Sequence, residues 1–543
     1  MESQRSFILI ALAFVTFMLW QQWQVDYGPK PIEPAQTASQ NNTVQSSADV
    51  PQASSNGQTL LPSTTQAGKV ISVKTDSHII SINTVGGDVI SADLVKYPVE
   101  QGSDDSYSLL RPSGSELFIA QSGLIGKNGP DANKAGRPTY TTGQDSFVLE
   151  GETLTVPLNL VTPDGLKITK NFIFNKNSHA INVNYIIENN SSDSKQLQQY
   201  AQLKQSMLKE DGSMFMPTYR GAAYSTEEDK YEKYGFDDMA DKNLKETTPA
   251  GWAAMIEHYF VSAWVPPQNE TNNLYSRVLQ NTNGVIGFTG QSVNINAGET
   301  AQINSVLYLG PKDQDTLASL ARGLDLTVDY GFLFMISQPL FTFLKFIHSL
   351  VGNWGFAIII ITIVVKGAMY PLTKKQYESM AKMRVLKPKM DALKERYGDD
   401  KQKMQQAMMK MYKEDKVNPM GGCFPLLLQM PIFLALYWVL LESVEIRHAD
   451  FIFWITDLSS KDPFFVLPVL TGVSMYLLQK LQPMTMTDPM QQKIMQFMPV
   501  AMSLFFFIFP AGLVLYWLIS NIITLIQAKF IYASMEKRGL QTK

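Results

Sequence analysis

The chain has 543 residues, 45% of them hydrophobic and 17% charged, with a formal net charge of −3 and a single cysteine. A near-neutral charge provides no electrostatic footprint for DNA, and one cysteine excludes an intrachain disulfide. The five histidines are scattered, and the chain has neither a GxxxxGK[ST] phosphate-binding loop nor a GxSxG nucleophile motif. We therefore expect no metal site and no enzyme of those two classes.

The N-terminal part begins with an apolar run over residues 6–23, which follows Arg5. A basic residue before an apolar run is typical of a signal sequence, but no small-residue cleavage pattern follows Trp20. We therefore predict an uncleaved signal-anchor transmembrane helix over 1–24 with its N-terminus in the cytoplasm. A cleaved signal peptide remains the alternative.

A flexible tether and a large β domain are predicted next. Residues 25–68 are rich in Gln, Ser, Thr, Ala, Pro and Asn, which is typical of a disordered tether. Over 69–320 the pattern changes to short alternating runs separated by turn residues, for example at 163–165 and 175–178. The clearest alternation involves Leu154, Val156, Leu158 and Leu160, and then Ile181, Val183, Tyr185 and Ile187. These runs predict one large antiparallel β sandwich outside the inner membrane, interrupted by short helices such as one around 227–245.

Most long apolar runs lie in the C-terminal part of the chain. Residues 321–350 are predicted to include an amphipathic helix at the membrane interface, because its apolar stretch is too interrupted for a span. Four further stretches are apolar and long enough to span the membrane: 354–372, 424–441, 464–481 and 494–532. The last is too long for one helix and contains a Pro-Ala-Gly break at 510–512, so we predict a hairpin of two spans. With the anchor, the prediction is six transmembrane helices.

The distribution of basic residues predicts the orientation. The loop over 374–419 contains 13 Lys or Arg, whereas 443–463 contains two. Because cytoplasmic loops carry the excess of basic residues, the first loop is predicted to be cytoplasmic. Five helices and this loop form a core over 351–535, and a basic cytoplasmic tail follows over 536–543.

The cytoplasmic loop itself is predicted to be a helical hairpin over 374–417. Met and Leu recur at helical spacing on both sides of a turn at 397–401, and Pro388 should divide the first helix. This stripe of Met and Leu side chains either packs the two helices of the hairpin against each other or provides an adaptable surface for varied apolar partner segments, called clients below. The excess of Lys and Arg in this loop is suited to binding anionic lipid or ribosomal RNA.

Lys366 lies inside the apolar stretch over 354–372 and is the candidate functional residue. The spacing of Thr362, Lys366 and Tyr370 places them on one helix face. Polar residues on other spans suggest a shared polar interior, and no Asp or Glu lies within the five spans of the core. An unpaired ammonium in hydrocarbon is costly, so we predict a hydrated groove open to the cytoplasm. Snorkelling of Lys366 to the headgroups is the alternative.

Five stretches resemble the bacterial YidC membrane protein insertase family in its Gram-negative form. They are GNWGFAI (352–358), MYPLTKKQYESMAKMR (369–384), NPMGGCFPLLLQMPIFLALY (418–437), DPMQQKIMQFMP (488–499) and GLVLYW (512–517). The resemblance covers essentially the whole chain. It implies an α-helical membrane protein with a five-helix insertase core and a periplasmic antiparallel β-supersandwich domain. It also implies a protein that is not an enzyme and binds no cofactor.

The resemblance further implies an insertase and chaperone of the bacterial inner membrane, with both termini in the cytoplasm, that acts alone or with the Sec translocon. The implied partners are nascent membrane proteins, the ribosome, the Sec translocon with its accessory subunits, and membrane lipid, but not DNA. Family members usually carry arginine in the groove where this chain has Lys366. The positive charge is kept, but the planar guanidinium group, which can form two parallel hydrogen bonds with a carboxylate, is lost. Some relatives have tyrosine at the position of Trp517.

The predicted groove and client-contact residues are Lys366, Thr362, Tyr370, Gln429, Met430, Phe433, Tyr516, Trp517, Ser520 and Thr524. Two other functions remain open from the residues alone. One is a secondary transporter that uses the intramembrane lysine, which predicts internal repeats that we do not find. The other is a membrane-anchored periplasmic carbohydrate-binding protein or enzyme, which predicts an acidic pair in a cleft of the β domain.

Overall fold

The computed structural model describes residues 50–51, 68–113, 115–133, 136–208, 218–398, 400–415, 424–481 and 489–538. The predicted signal-anchor helix and most of the predicted tether lie outside these residues. Two parts are described, a β domain formed by strands between Val70 and Pro311 and a helical part from Phe334 to Glu536.

The described residues of the β domain form eighteen strands. They are β1 (Val70–Lys74), β2 (His78–Asn83), β3 (Asp88–Pro98), β4 (Ser106–Leu110), β5 (Phe118–Ile125), β6 (Ser146–Val148), β7 (Thr153–Val161), β8 (Leu166–Asn175), β9 (Ala180–Asn189), β10 (Lys195–Ser206), β11 (Gly221–Ser225), β12 (Glu232–Tyr234), β13 (Lys245–Pro249), β14 (Trp252–Ile256), β15 (Phe260–Val265), β16 (Thr271–Leu279), β17 (Asn283–Ile295) and β18 (Thr300–Pro311). A short helix, α1 (Phe236–Asp241), lies within the predicted interruption at 227–245.

The strands form two packed sheets. A ten-stranded sheet has the order β13-β16-β17-β10-β5-β3-β2-β1-β6 with β4 beside β3, and an eight-stranded sheet has the order β12-β11-β14-β15-β18-β9-β8-β7. The pairs are antiparallel except β1 with β6, which is parallel and was not predicted. The predicted β sandwich is therefore confirmed, with strand pairs that join distant parts of the chain.

The alternating sequence pattern explains which side chains form the core. Phe172 of β8 pairs with Val156 of β7 and Val183 of β9, and all three side chains are buried. Trp264 of β15 is also buried and donates its indole N–H to the Gln202 carbonyl of β10 at 3.1 Å, which joins the two sheets. Burying one face of each strand in this way stabilises both sheets.

The helical part follows a connector that contains α2 (Gln314–Leu320). Its helices are α3 (Phe334–Val351), α4 (Trp354–Ala368), α5 (Tyr370–Val385), α6 (Lys387–Tyr397), α7 (Lys401–Glu414), α8 (Phe424–Glu442), α9 (Val466–Leu481), α10 (Pro489–Phe505) and α11 (Ala511–Glu536). The predicted break at 510–512 is confirmed, because α10 ends at Phe505 and α11 begins after Pro510.

The prediction of one continuous helix over 354–372 is wrong at its C-terminal end. Helix α4 ends at Ala368, and α5 continues from Tyr370 at an angle of 62°. Pro371 lies in the first turn of α5 and lacks the N–H that a continuous helix requires at that position. The bend therefore separates Lys366 from Tyr370, which the spacing of four residues places on the same face.

The helical hairpin predicted from the Met and Leu spacing is present as α6 and α7. The break between α5 and α6 falls at Leu386, next to Pro388 in the first turn of α6. Met383, Leu386, Met390 and Met411 form a buried cluster. These members of the stripe therefore pack the hairpin together.

Among the described residues, two helical segments are able to cross a membrane by length and composition, namely Gly331–Val351 and Ala511–Glu536. The pair α4 and α5 would make a third if it is one bent span. Shorter apolar helices cover Gln429–Glu442, Val466–Leu481 and Gln496–Phe505. The six-helix count and the interfacial position of α3 stay predictions.

The β domain contacts the helical part at the end of α8. Lys312, which follows β18, forms an ion pair with Glu442 at 2.9 Å, and both side chains are buried. The His258 ring nitrogen Nε2 lies 2.9 Å from the Leu441 carbonyl. Arg447 donates to the Pro98 carbonyl at 2.6 Å, so three points of contact fix this end of α8 to the β domain.

We predict that Glu445, at the same interface, makes stability depend on pH. Burial raises the pKa of Glu445 from 4.5 to about 7, with an opposing contribution from Lys345. The folded protein therefore binds more protons than the unfolded chain between about pH 4.5 and 7, so stability should fall as the pH rises through this window. We expect a loss of up to about 3 kcal/mol, at about 1.4 kcal/mol per pKa unit.

Thermal unfolding of the protein and of Glu445→Gln at pH 5 and pH 8 measures this effect. The difference in midpoint between the two proteins should change between the two pH values, since glutamine does not titrate. An unchanged difference would show that Glu445 is ionised in the folded protein throughout the window.

Candidate functional site

Lys366 lies in the last turn of α4 with 7% of its surface exposed. Its ammonium Nζ donates a hydrogen bond of 3.1 Å to Thr524 Oγ1 of α11. Within the described part of the chain no carboxylate contributes a charge interaction to this ammonium. Lys366 is thus a buried cation that is hydrogen-bonded but not neutralised.

Helix α11 holds Lys366 at two points. The Thr524 hydroxyl donates to the Ser520 carbonyl at 2.7 Å, so its oxygen lone pairs are available to the lysine. One turn later, the amide of Gln527 donates to the backbone carbonyl of Lys366 at 3.0 Å. Helix α11 therefore contacts both the side chain and the backbone of Lys366.

The Lys366 side chain lines a cavity of about 180 Å³ that is bounded by five helices. Helices α4, α5, α8, α9 and α11 each contribute to it, and none of the described side chains of α10 does. The lining residues are Lys366, Met369, Thr373, Gln376, Tyr377, Gln429, Met430, Phe433, Leu478, Tyr516, Trp517, Ser520, Asn521 and Thr524. Lys366 is the only charged residue among them, and the others are neutral polar, aromatic or apolar.

One wall of the cavity is aromatic. The Phe433 ring of α8 meets the Trp517 ring edge-on with centroids 4.6 Å apart, and it stacks on Tyr516 at 6.1 Å. Met430, one turn before Phe433, is 46% exposed and so borders both the cavity and the outer surface. This wall is able to contact an apolar segment that lies along the outside of α8 and α11.

Eight of the ten predicted site residues line this cavity. Thr362 does not, because it is fully buried and donates its hydroxyl to the Ile358 carbonyl of its own helix at 2.5 Å. Tyr370 does not either, because it lies beyond the bend and is 39% exposed. Thr362 and Tyr370 therefore lie outside the lining of this cavity, and their contact with a groove or a client stays a prediction.

The sequence reading missed the contribution of α5. Thr373, Gln376 and Tyr377 line the cavity because the bend at Met369 turns α5 across its end. The predicted hairpin over 374–417 includes Gln376 and Tyr377, and Thr373 lies directly before it. Pro371 was the available signal, since a proline in the first turn marks the start of a new helix.

A polar contact between α9 and α11 supports the floor of the cavity. Asn521, which lines the cavity, donates its amide to Ser474 Oγ at 2.9 Å, and Ser474 donates to the Thr471 carbonyl at 2.7 Å. All three residues are buried. Thr471 and Ser474 of α9 thus position Asn521 and are not among the residues that line the cavity.

The lining of the cavity has the chemistry to bind a polar or negatively charged group. A cation surrounded by hydroxyl and amide groups stabilises an acidic or polar chain segment by charge and hydrogen bonding. Among the described residues, no group of three or more His, Cys, Asp or Glu side chains is arranged to hold a metal ion.

Comparison with known proteins identifies the family. The family model described as the YidC periplasmic domain matches residues 70–343, and the model described as the 60Kd inner membrane protein matches residues 346–538. A membrane protein insertase YidC from Pseudoalteromonas atlantica is 74% identical over 100% of both chains. The chain belongs to the YidC membrane protein insertase family. A second relative with the same name, from Shewanella piezotolerans, is 52% identical over 100% of both chains.

A solved structure described as an active YidC insertase also resembles this chain. It is 19% identical, with a TM-score of 0.39, and the match covers 85% of this chain and 92% of that one. Family membership makes this protein a membrane protein insertase of the inner membrane, with a periplasmic β domain and apolar helices. It thereby favours the insertase prediction over a transporter or a carbohydrate-binding protein.

Proposed function

We propose that insertion proceeds through the cavity at Lys366. The observation that carries this proposal is the buried ammonium without a carboxylate partner in the described residues, at the junction of five helices. An acidic or polar tail of a client entering the cavity would gain the charge interaction that Lys366 lacks in the resting protein. The same ammonium requires water to reach it from the cytoplasm, so we propose a hydrated groove.

The apolar segment of the client is proposed to lie along the outside of α8 and α11. Met430, Phe433 and Trp517 provide an apolar and aromatic surface there, next to the cavity that receives the tail. The free energy comes from moving this segment into lipid, at about 25 cal/mol for each Å² of apolar surface buried.

We propose that the basic hairpin α6 and α7 faces the cytoplasm and meets ribosomes or anionic lipid. Lys403 and Lys410 of α7 have more than two thirds of their side chains exposed, which supports an electrostatic contact. This orientation places both termini in the cytoplasm. Action alone and beside the Sec translocon, together with a chaperone role, is what the family resemblance implies.

Substitution of Lys366 tests the charge. For a client with an acidic tail, Lys366→Arg should retain insertion, because the cation is kept. Lys366→Gln should reduce the insertion rate by about ten- to about a hundredfold, the equivalent of a lost charged hydrogen bond, and Lys366→Glu should reduce it further. The assay is protease protection of the translocated tail in vesicles that contain each variant.

Two controls separate the groove from general effects of charge. Lys529→Gln removes an exposed cation from α11 outside the cavity and should leave insertion unchanged. A client with a neutral tail should be much less sensitive to Lys366→Gln. Equal insertion of the acidic client by Lys366→Gln and the unchanged protein would remove the charge from the mechanism.

A further inference from the structure

The bend between α4 and α5 has a hydrogen bond from outside the two helices. The N–H of Met369, in the bend, donates to the carbonyls of Val365 and Gly367. The carbonyl between them, that of Lys366, accepts the amide N–H of Gln527 from α11 at 3.0 Å. Gln527 is 8% exposed, so this bond is shielded from water.

A bond at this position matters because the last turn of a helix loses its regular donors. Pro371 removes one further N–H, and helices bend where side chains replace the missing backbone bonds. Gln527 therefore fixes the direction in which α4 ends. Gln527 holds the backbone carbonyl of Lys366, and the ammonium is the end of the side chain of the same residue. The position of the ammonium in the cavity therefore depends on the contact with Gln527.

Gln527 and Thr524 are three residues apart on α11 and lie on neighbouring positions of one face. Thr524 meets the end of the Lys366 side chain, and Gln527 meets its backbone. Only the donor half of the Gln527 amide is engaged, since its Oε1 has no hydrogen-bond partner in the described residues.

We infer that Gln527 is a positioning residue of the insertase. It holds the bend of α4 through the Lys366 carbonyl and thereby keeps the Lys366 ammonium directed into the cavity beside Thr524. This inference rests on the proposed function of the Lys366 charge. Gln527 itself does not line the cavity, so its effect is exerted through Lys366.

A double-mutant cycle with Lys366 tests the inference. Gln527→Met keeps the length of the side chain and removes the donor. We expect it to slow insertion of an acidic-tailed client by between about two- and about tenfold, which corresponds to one hydrogen bond. In the Lys366→Gln background the bond to the backbone still forms, so a positioning role predicts that Gln527→Met has no further effect there.

The possible results are distinct. The same fold-loss in both backgrounds would overturn the inference, because Gln527 would then be a general structural contact. No loss in either background would also overturn it. If Lys366→Gln alone does not slow insertion, the proposed function fails and the inference fails with it. If Lys366→Gln slows insertion, and Gln527→Met slows it by the same factor in both backgrounds, only the inference is overturned.

A matched control lies next to Gln527 on the same helix. Ile526 is 49% exposed, and Ile526→Met should leave insertion unchanged in both backgrounds. The amount of each variant in the membrane and its resistance to protease are measured in parallel. A Gln527→Met protein that reaches normal amounts and resists protease, yet inserts acidic-tailed clients slowly only when Lys366 is present, would support the inference.

Discussion

Glu442→Leu is expected to destabilise the contact between the β domain and the helices by about 3–5 kcal/mol, the usual cost of breaking a buried ion pair from one side. Lys312 and Glu442 lie 2.9 Å apart, with only 2% and 5% of their side chains exposed. Removal of the carboxylate leaves the Lys312 ammonium buried and without its partner. The measurement is the thermal midpoint of the protein in detergent, together with hydrogen exchange of the segment around α8.

The double variant Lys312→Met with Glu442→Leu should recover most of the lost stability, because replacing both charges by apolar groups is often nearly neutral. Asp315→Asn is the matched control. It breaks the pair of Asp315 with Lys345 at 2.6 Å, where 84% and 33% of the side chains are exposed, so it should cost no more than about 1 kcal/mol. Equal effects of Glu442→Leu and Asp315→Asn would mean that water reaches the Lys312 pair.

This ion pair places the β domain at the opposite end of α8 from the cavity. Glu442 terminates α8, whereas Gln429, Met430 and Phe433 line the cavity nearer the start of the same helix. The contact with the β domain therefore fixes the end of the helix that carries Phe433, one ring of the aromatic wall. In the sequence, Glu442 directly follows the predicted span over 424–441, but no partner for it is evident, because Lys312 is 130 residues away.

The β sandwich was predictable as a fold class, but its strand order was not. Alternation in β7 and β9 requires only that one face of each strand is buried, and the structure confirms it. By contrast, β10 lies between β5 and β17, so its neighbours come from before and after it in the chain at long separation. No local pattern specifies such pairs, since any two amphipathic strands satisfy the same alternation.

The site was predicted because burying an unpaired charge costs free energy. The prediction was incomplete at the bend between α4 and α5. Lys366 was identifiable because an isolated cation in an apolar run requires polar neighbours or water around it. A spacing of four residues predicts a shared face only on a continuous helix, and the bend at Met369 removes Tyr370 from it. The same bend brings Gln376 and Tyr377 into the cavity, which the interpretation of 354–372 as one continuous helix does not predict.

The largest effect within the β domain is expected for Arg137→Leu. The guanidinium of Arg137 pairs with the carboxylates of Asp131, at 2.9 Å, and of Asp88, and it donates to the Ser122 carbonyl at 3.0 Å. All three charged side chains are at least nine-tenths buried. The substitution leaves two carboxylates without this cation, so the β domain should lose about 3–5 kcal/mol or more.

A neighbouring lysine does not replace the lost guanidinium. Lys170 is fully buried, but its ammonium already donates to the carbonyls of Gly86, Gly87 and Ser122 at 2.7 to 3.1 Å. Burial lowers the pKa of Lys170 to about 7, so its positive charge is itself costly there. The unpaired carboxylates should therefore be neutralised by protonation, and part of the lost stability should return when the pH is lowered from 8 to 5.

Lys167→Met is the control for Arg137→Leu, because Lys167 and Glu188 pair at 2.7 Å on an exposed part of the same domain. It should change stability by less than about 1 kcal/mol. Limited proteolysis of the full chain separates the outcomes: Arg137→Leu should expose the β domain to cleavage while the helical part stays resistant. If insertion of the acidic-tailed client then continues at the normal rate, the groove works without a folded β domain. Equal protease resistance of the two variants would show that Asp88 and Asp131 do not depend on Arg137.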